Sequence, residues 1–165
     1  MAVRVAVVSS VDPEDDHITV KGVRCPECAI SLIKYCRRQG YGLAWRSTAG
    51  LTSRYFVKMY ALREMLFDHG WDAVLWVDND AFISNTTLMV QDFLAGSVLK
   101  PNHKSFAEEQ CCRPIGDTNS LILQSTDYFP NSGVMIMRRT ELARGLLDDI
   151  LRVQASFTAH PADQD

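Results

Sequence analysis

The chain has 165 residues, enough for one domain with a real core, and its 47% hydrophobic and 22% charged residues exclude a disordered polymer. A net charge of −3 provides no basic stripe, so nucleic acid is excluded as a main partner. No apolar run reaches the roughly 18 residues that a membrane span requires.

In chain order, segments of β character alternate with segments of helical period. Val3 to Val8 is short, β-branched and bounded by Ser9-Ser10 and Asp12-Pro13, the pattern of a buried first strand. The segment lacks a charged region followed by a small-residue cleavage site, so it does not read as a signal peptide. Residues Pro26 to Gln39 are predicted helical, with Ala29, Ile33 and Cys36 forming the apolar stripe and Gly40 as the stop. Tyr41 to Trp45 is a short second strand. Ser53 to His69 is predicted as a helix capped by Ser53, with Val57, Tyr60, Ala61 and Met65 on its apolar face and Gly70 at its end. Ala73 to Val77 is an unbroken apolar run, which predicts a strand covered on both faces. A helical stretch follows near Thr87 to Leu94, then a long polar loop over residues 100 to 120. Gly133 to Met137 is a further buried strand. Thr140 caps a last helix whose stripe is read as Leu142, Leu146, Ile150 and Val153. This alternation, with no repeat and no linker, implies a single α/β domain over residues 1–165 with a mostly parallel central sheet flanked by helices.

Five cysteines cannot all pair within one chain. Cys25-Pro26-Glu27-Cys28 has the spacing of half a zinc knuckle or of a redox pair, but the adjacent Cys111-Cys112 is poor spacing for the other half. The plainer expectation is a set of ordinary thiols near the start of a helix. Asn85-Thr86-Thr87 is a glycosylation sequon. Gly40-Tyr41-Gly42 lacks the third glycine of a dinucleotide fingerprint.

In open α/β sheets, ligands bind outside the carboxyl ends of the strands. There the run ending at Val77 is followed by Asp78-Asn79-Asp80 and then by apolar Ala81-Phe82-Ile83. If the backbone stays extended, Asp78 and Asp80 project together. Two close carboxylates repel unless a cation lies between them, and Mg²⁺ or Mn²⁺ is the kind of ion held by one or two carboxylates plus substrate phosphates. The residues alone leave two alternatives open. One is a turn in which these side chains only bend the chain. The other is a phosphohydrolase of the haloacid dehalogenase kind, with Asp78 as nucleophile, although Phe82 and the mid-chain position depart from that pattern.

Lys58-Met59-Tyr60-Ala61-Leu62-Arg63, then Trp71 to Ile83 around the acidic motif, then Asn131-Ser132-Gly133-Val134-Met135-Ile136-Met137-Arg138, and finally Asp163-Gln164 stand in one order along the chain. That ordered set resembles the galactosyl/xylosyl transferase family of nucleotide-sugar enzymes. The resemblance implies a Rossmann-like GT-A fold and transfer of a hexose or pentose from a nucleotide diphosphate sugar, a UDP-sugar, to a glycan or other hydroxyl acceptor, with Mn²⁺ or Mg²⁺ and with retention of configuration. It implies that Asp78 and Asp80 hold the metal, with Asn79 between them in the donor site. The end of the first strand, Ser9 and Ser10 included, would receive the base and ribose. Lys58, with Arg54 one helical turn away, would contact phosphate or donor sugar. Asn131, Ser132 and Gly133 would meet sugar hydroxyls, and Asp163 and Gln164 would act at the reacting sugar. It further implies an enzyme of the Golgi. Family members continue beyond the third block and supply acceptor contacts and a histidine metal ligand there. None of His17, His69, His103 and His160 stands at that position, so the expectation is a donor-binding portion with the acceptor portion largely missing. A non-catalytic sugar-nucleotide binding domain is the remaining alternative.

Overall fold

The computed structural model describes residues 3–12, 25–51, 53–95, 120–125 and 130–154. Among these residues five strands form one sheet: β1 (Val5–Val11), β2 (Gly42–Ser47), β3 (Ala73–Val77), β4 (Leu121–Ser125) and β5 (Pro130–Arg138). Their order is β2-β1-β3-β5-β4. β1 pairs parallel with β2 and with β3, whereas β5 pairs antiparallel with both β3 and β4. Four strands therefore run one way and β5 alone runs back, which brings its early residues beside the end of β3.

The helices are α1 (Pro26–Gln39), α2 (Val57–Arg63), α3 (Val90–Leu94) and α4 (Glu141–Gln154). α1 has the predicted bounds, for the predicted reasons. Pro26 enters its first turn, and Gly40 closes it in the left-handed region at φ 71°. Its buried face is Cys28, Leu32, Tyr35 and Cys36, so the stripe read from Ala29 and Ile33 lies at the edge of that face.

Strand alternation sorts the apolar residues into two layers. Ala6, Val8, Val74, Trp76, Met135 and Met137 pack against α2 and α4 on one face. Val5, Val7, Leu75, Val77 and Ile136 pack against α1 and α3 on the other. All five residues of β3 are buried, as a centrally placed strand covered on both faces must be.

Six predicted elements shift. β1 runs Val5–Val11 instead of Val3 to Val8, and β5 runs Pro130–Arg138 instead of Gly133 to Met137. β2 begins one residue later and runs on to Ser47, because its parallel register with β1 continues to Val11↔Ser47. The run from Ser53 to His69 is not one α-helix. It starts as a 3₁₀ turn (Arg54–Phe56), passes through α2 and ends as a π-turn (Glu64–Asp68), and the Ser53 hydroxyl makes no capping bond. Arg54 and Lys58 therefore do not share the face of one regular helix. The helix expected from Thr87 begins only at Val90, since Asn85 Oδ1 accepts from both the Thr87 amide (3.0 Å) and its hydroxyl (2.7 Å) and holds a local turn. That sequon lies in this exposed turn.

α4 is capped as predicted, with Thr140 Oγ1 accepting from the Ala143 amide at 3.1 Å, but its phase is wrong by one position. Ala143 and Leu147 are buried, while Leu142 is 71% exposed. One residue is a rotation of about 100° on a helix. The small Ala143 lets α4 approach closely, and Arg63 donating to Asp148 at 2.8 Å fixes the rotation.

The thiol expectation is also corrected. Cys25 and Cys28 are joined by a disulfide across the first turn of α1. Cys36 is a buried free thiol, and burial pushes its pKa up to about 11. Cys111, Cys112 and residues 100–119 of the predicted loop lie outside the described residues.

The π-turn is tied to β2 by Arg46, which holds the Glu64 carboxylate at 2.6 and 2.9 Å, with His69 on the same carboxylate at 3.0 Å. Partial burial alone would raise the Glu64 pKa, but the bonds to His69 and Arg46 outweigh it and hold it below the ordinary 4.5. A depressed carboxylate contributes stability above its unfolded pKa and loses that contribution as pH falls through the folded one. Glu64→Gln is therefore expected to cost up to about 1 kcal/mol at pH 7 and nearly nothing near pH 3, as read by urea unfolding at the two pH values.

Candidate active site

β1 and β3 are adjacent and parallel, so their carboxyl ends lie side by side at one rim of the sheet. On β1 this rim holds Ser9, Ser10 and Asp12, all buried. Among the described residues, Ser9 Oγ has no hydrogen-bond partner. The Asp12 carboxylate is paired with Arg54 from the 3₁₀ turn. Arg54 is thereby anchored to the end of β1, a partner that the sequence did not suggest.

On β3 the strand stops at Val77. The Ala81 amide donates to the Asp78 carbonyl at 3.0 Å, so Asp78-Asn79-Asp80-Ala81 is a turn. The extended geometry that put Asp78 and Asp80 on one side of a strand does not hold. What the turn does is keep Asp78 on the strand end and bring Asp80 to the exposed surface two residues later.

Asp78 continues the face of β3 that carries Trp76, the face against α2. Its Oδ1 accepts from the Trp76 indole Nε1 at 2.6 Å and pairs with the Lys58 ammonium at 3.5 Å. Its amide donates to the Gly133 carbonyl at 2.8 Å, extending the β3–β5 ladder by one bond. Lys58 donates to Ser132 Oγ at 3.0 Å and to the Ser132 carbonyl at 3.2 Å. Two of its three donors are thus spent on β5, and its Nζ lies 5.9 Å from the Trp76 ring centroid. Lys58 is buried, so its charge depends on these partners.

β5 breaks register opposite this point. Gln124 pairs with Asn131 but Leu123 pairs with Met135, so Ser132, Gly133 and Val134 are the surplus residues of a bulge. Asn131, Ser132 and Gly133 therefore stand inside β5 and not ahead of a strand. The bulge is what presents the Ser132 carbonyl and hydroxyl to Lys58.

The structure thus brings together Lys58, Asp78, Ser132 and Gly133, and joins Trp76 to them. Arg54 is turned to Asp12. Asp163 and Gln164, like His17, His103 and His160, lie outside the described residues. The missed residue is Trp76. Its signal was available, since it stands two positions before Asp78 and so shares its face.

Asp78 and Asp80 offer oxygen donors alone, which suits Mg²⁺ or Mn²⁺ over softer metals. No described residue donates a hydrogen bond to Asp78 Oδ2. No cluster of three or more His, Cys, Asp or Glu is found among them. A hard cation held by two such carboxylates would take its remaining oxygens from water and a phosphate-bearing ligand.

A search of the curated proteins finds no match. Among solved structures, a glycosyltransferase involved in the glycosylation of the major capsid of PBCV-1 superposes with a TM-score of 0.61. It shares 15% identity, with 96% of this chain and 71% of that chain covered. At that identity the likeness speaks for the fold, a glycosyltransferase α/β fold with helices on both faces of the sheet. The galactosyl transferase GMA12/MNN10 family profile matches residues 4–165, the whole stretch that carries the ordered sequence blocks. The chain belongs to that glycosyltransferase family.

Proposed function

We propose that this glycosyltransferase moves a hexose or pentose from a UDP-sugar to a hydroxyl of a glycan acceptor, with Mn²⁺ or Mg²⁺ held by Asp78 and Asp80. The observation that carries the reading is the Lys58 ammonium held between Asp78 and Ser132 at the carboxyl end of β3. It gathers one carboxylate, one buried ammonium and a bulged strand where α/β sheets take their ligands. The bound cation would supply charge neutralisation at the leaving nucleoside diphosphate. Lys58 adds a second positive charge beside the phosphates in this reading. Asn131, Ser132 and Gly133 meet donor-sugar hydroxyls in this reading, and the hydroxyls of Ser9 and Ser10 serve the ribose. Arg54 supports that end of β1 through Asp12. The family resemblance assigns Asp163 and Gln164 to the reacting sugar, where a carboxylate stabilises developing positive charge.

The test is release of UDP from a panel of UDP-sugars with oligosaccharide acceptors, with Mn²⁺ and with EDTA. Metal-dependent transfer from one donor is the expected result. Hydrolysis of phosphate esters without sugar transfer would move the assignment to a phosphohydrolase acting through Asp78.

A further inference from the structure

The two oxygens of the Asp78 carboxylate are not equivalent. Oδ1 receives the Trp76 indole at 2.6 Å and lies 3.5 Å from the Lys58 ammonium, while no described residue donates a hydrogen bond to Oδ2. Trp76 is 1% exposed and packed in the core layer under α2, so its ring has no room to leave. An indole carries one donor and no acceptor, and it is neutral. It can therefore fix a carboxylate in one rotation without cancelling its charge, which a second lysine would do. The rest of the contact is equally constrained, because the Asp78 amide is bonded to Gly133 and both residues sit on the same strand face.

We propose that Trp76 is a positioning residue: its N–H holds Oδ1 inward so that Oδ2 is presented to the divalent cation. The inference rests on the metal reading of Asp78 and Asp80. Donors that orient metal ligands in this way typically change metal affinity 10–100-fold when removed.

The experiment measures UDP affinity against Mn²⁺ concentration for wild type, Trp76→Phe and Asp80→Ala by titration calorimetry. Trp76→Phe keeps an aromatic ring and deletes the donor. It is expected to raise the Mn²⁺ concentration for half-maximal UDP binding about 10–100-fold, with metal-free UDP binding unchanged. Asp80→Ala is expected to lose the Mn²⁺ effect altogether. If Asp80→Ala keeps it, the metal site itself is misassigned. If Asp80→Ala loses it and Trp76→Phe matches wild type, the positioning role is overturned. A second measurement avoids the risk that Trp76→Phe fails to fold. In ¹⁵N-labelled wild type, the Trp76 indole resonance, assigned by eliminating Trp45 and Trp71 with phenylalanine variants, is expected to shift when Mg²⁺ and UDP are added. It is expected to stay still in Asp80→Ala. A resonance unmoved in wild type under saturating Mg²⁺ and UDP overturns the proposal.

Discussion

Asp80→Ala is expected to lower sugar transfer about 10²–10³-fold while leaving the protein folded. Asp80 is exposed, in a turn beyond the end of β3, so its truncation leaves no core cavity. Surface changes of that kind cost less than about 1 kcal/mol, a shift of only a few degrees in Tm. The loss of activity comes from charge. In the proposed reading the cation would then be held by Asp78 alone, and neutralisation of the departing diphosphate would weaken. The check is kcat/KM across a Mn²⁺ series beside a melting curve. Unaltered transfer with an unaltered melting curve would remove Asp80 from the site.

Lys58→Met is expected to damage both stability and turnover, and the two effects have separate causes. Removing the ammonium leaves the Ser132 carbonyl and hydroxyl without their donor and Asp78 without its ion pair. Breaking a fully buried pair costs about 3–5 kcal/mol. Here the Asp78 side chain is 36% exposed and water can solvate it, so the expected cost is about 1–3 kcal/mol. The methionine keeps the apolar stem that Lys58 buries along α2, which limits the packing loss. Transfer is expected to fall about 10²-fold, because the β5 bulge is no longer tied to Asp78 and a positive charge near the diphosphate is gone. Denaturant unfolding and steady-state kinetics check the two halves independently. A variant with wild-type kinetics but lowered stability would reduce Lys58 to a structural tie.

Sequence reading reached the architecture because its signals were local. Pro26 and Gly40 bracket α1, Val77 ends a run too apolar to be anything but a central strand, and Thr140 caps α4. It failed where a neighbour decided the outcome. The phase of α4 depends on Ala143 fitting against α2, and periodicity weights the larger Leu142 and Leu146 more heavily than that alanine. The pitch changes between Arg54 and Asp68 leave the apolar spacing almost unaltered, so three kinds of helical turn read as one. The acidic motif was found by composition, but its turn was not, since Asp and Asn suit both a strand end and a bend. In the apolar run of β3 Trp76 is indistinguishable from its neighbours, because only its single polar atom, bonded to Asp78, sets it apart. The ordered blocks carried the family, and the profile match over residues 4–165 agrees with them.

The central claim is that Asp78 and Asp80 form a metal-assisted diphosphate site. Calorimetric titration of wild-type protein with UDP, in Mn²⁺ and again in EDTA, tests it most directly. The account predicts binding at least about tenfold tighter with Mn²⁺, equivalent to roughly 1.4 kcal/mol. Equal affinity in the two buffers would contradict it.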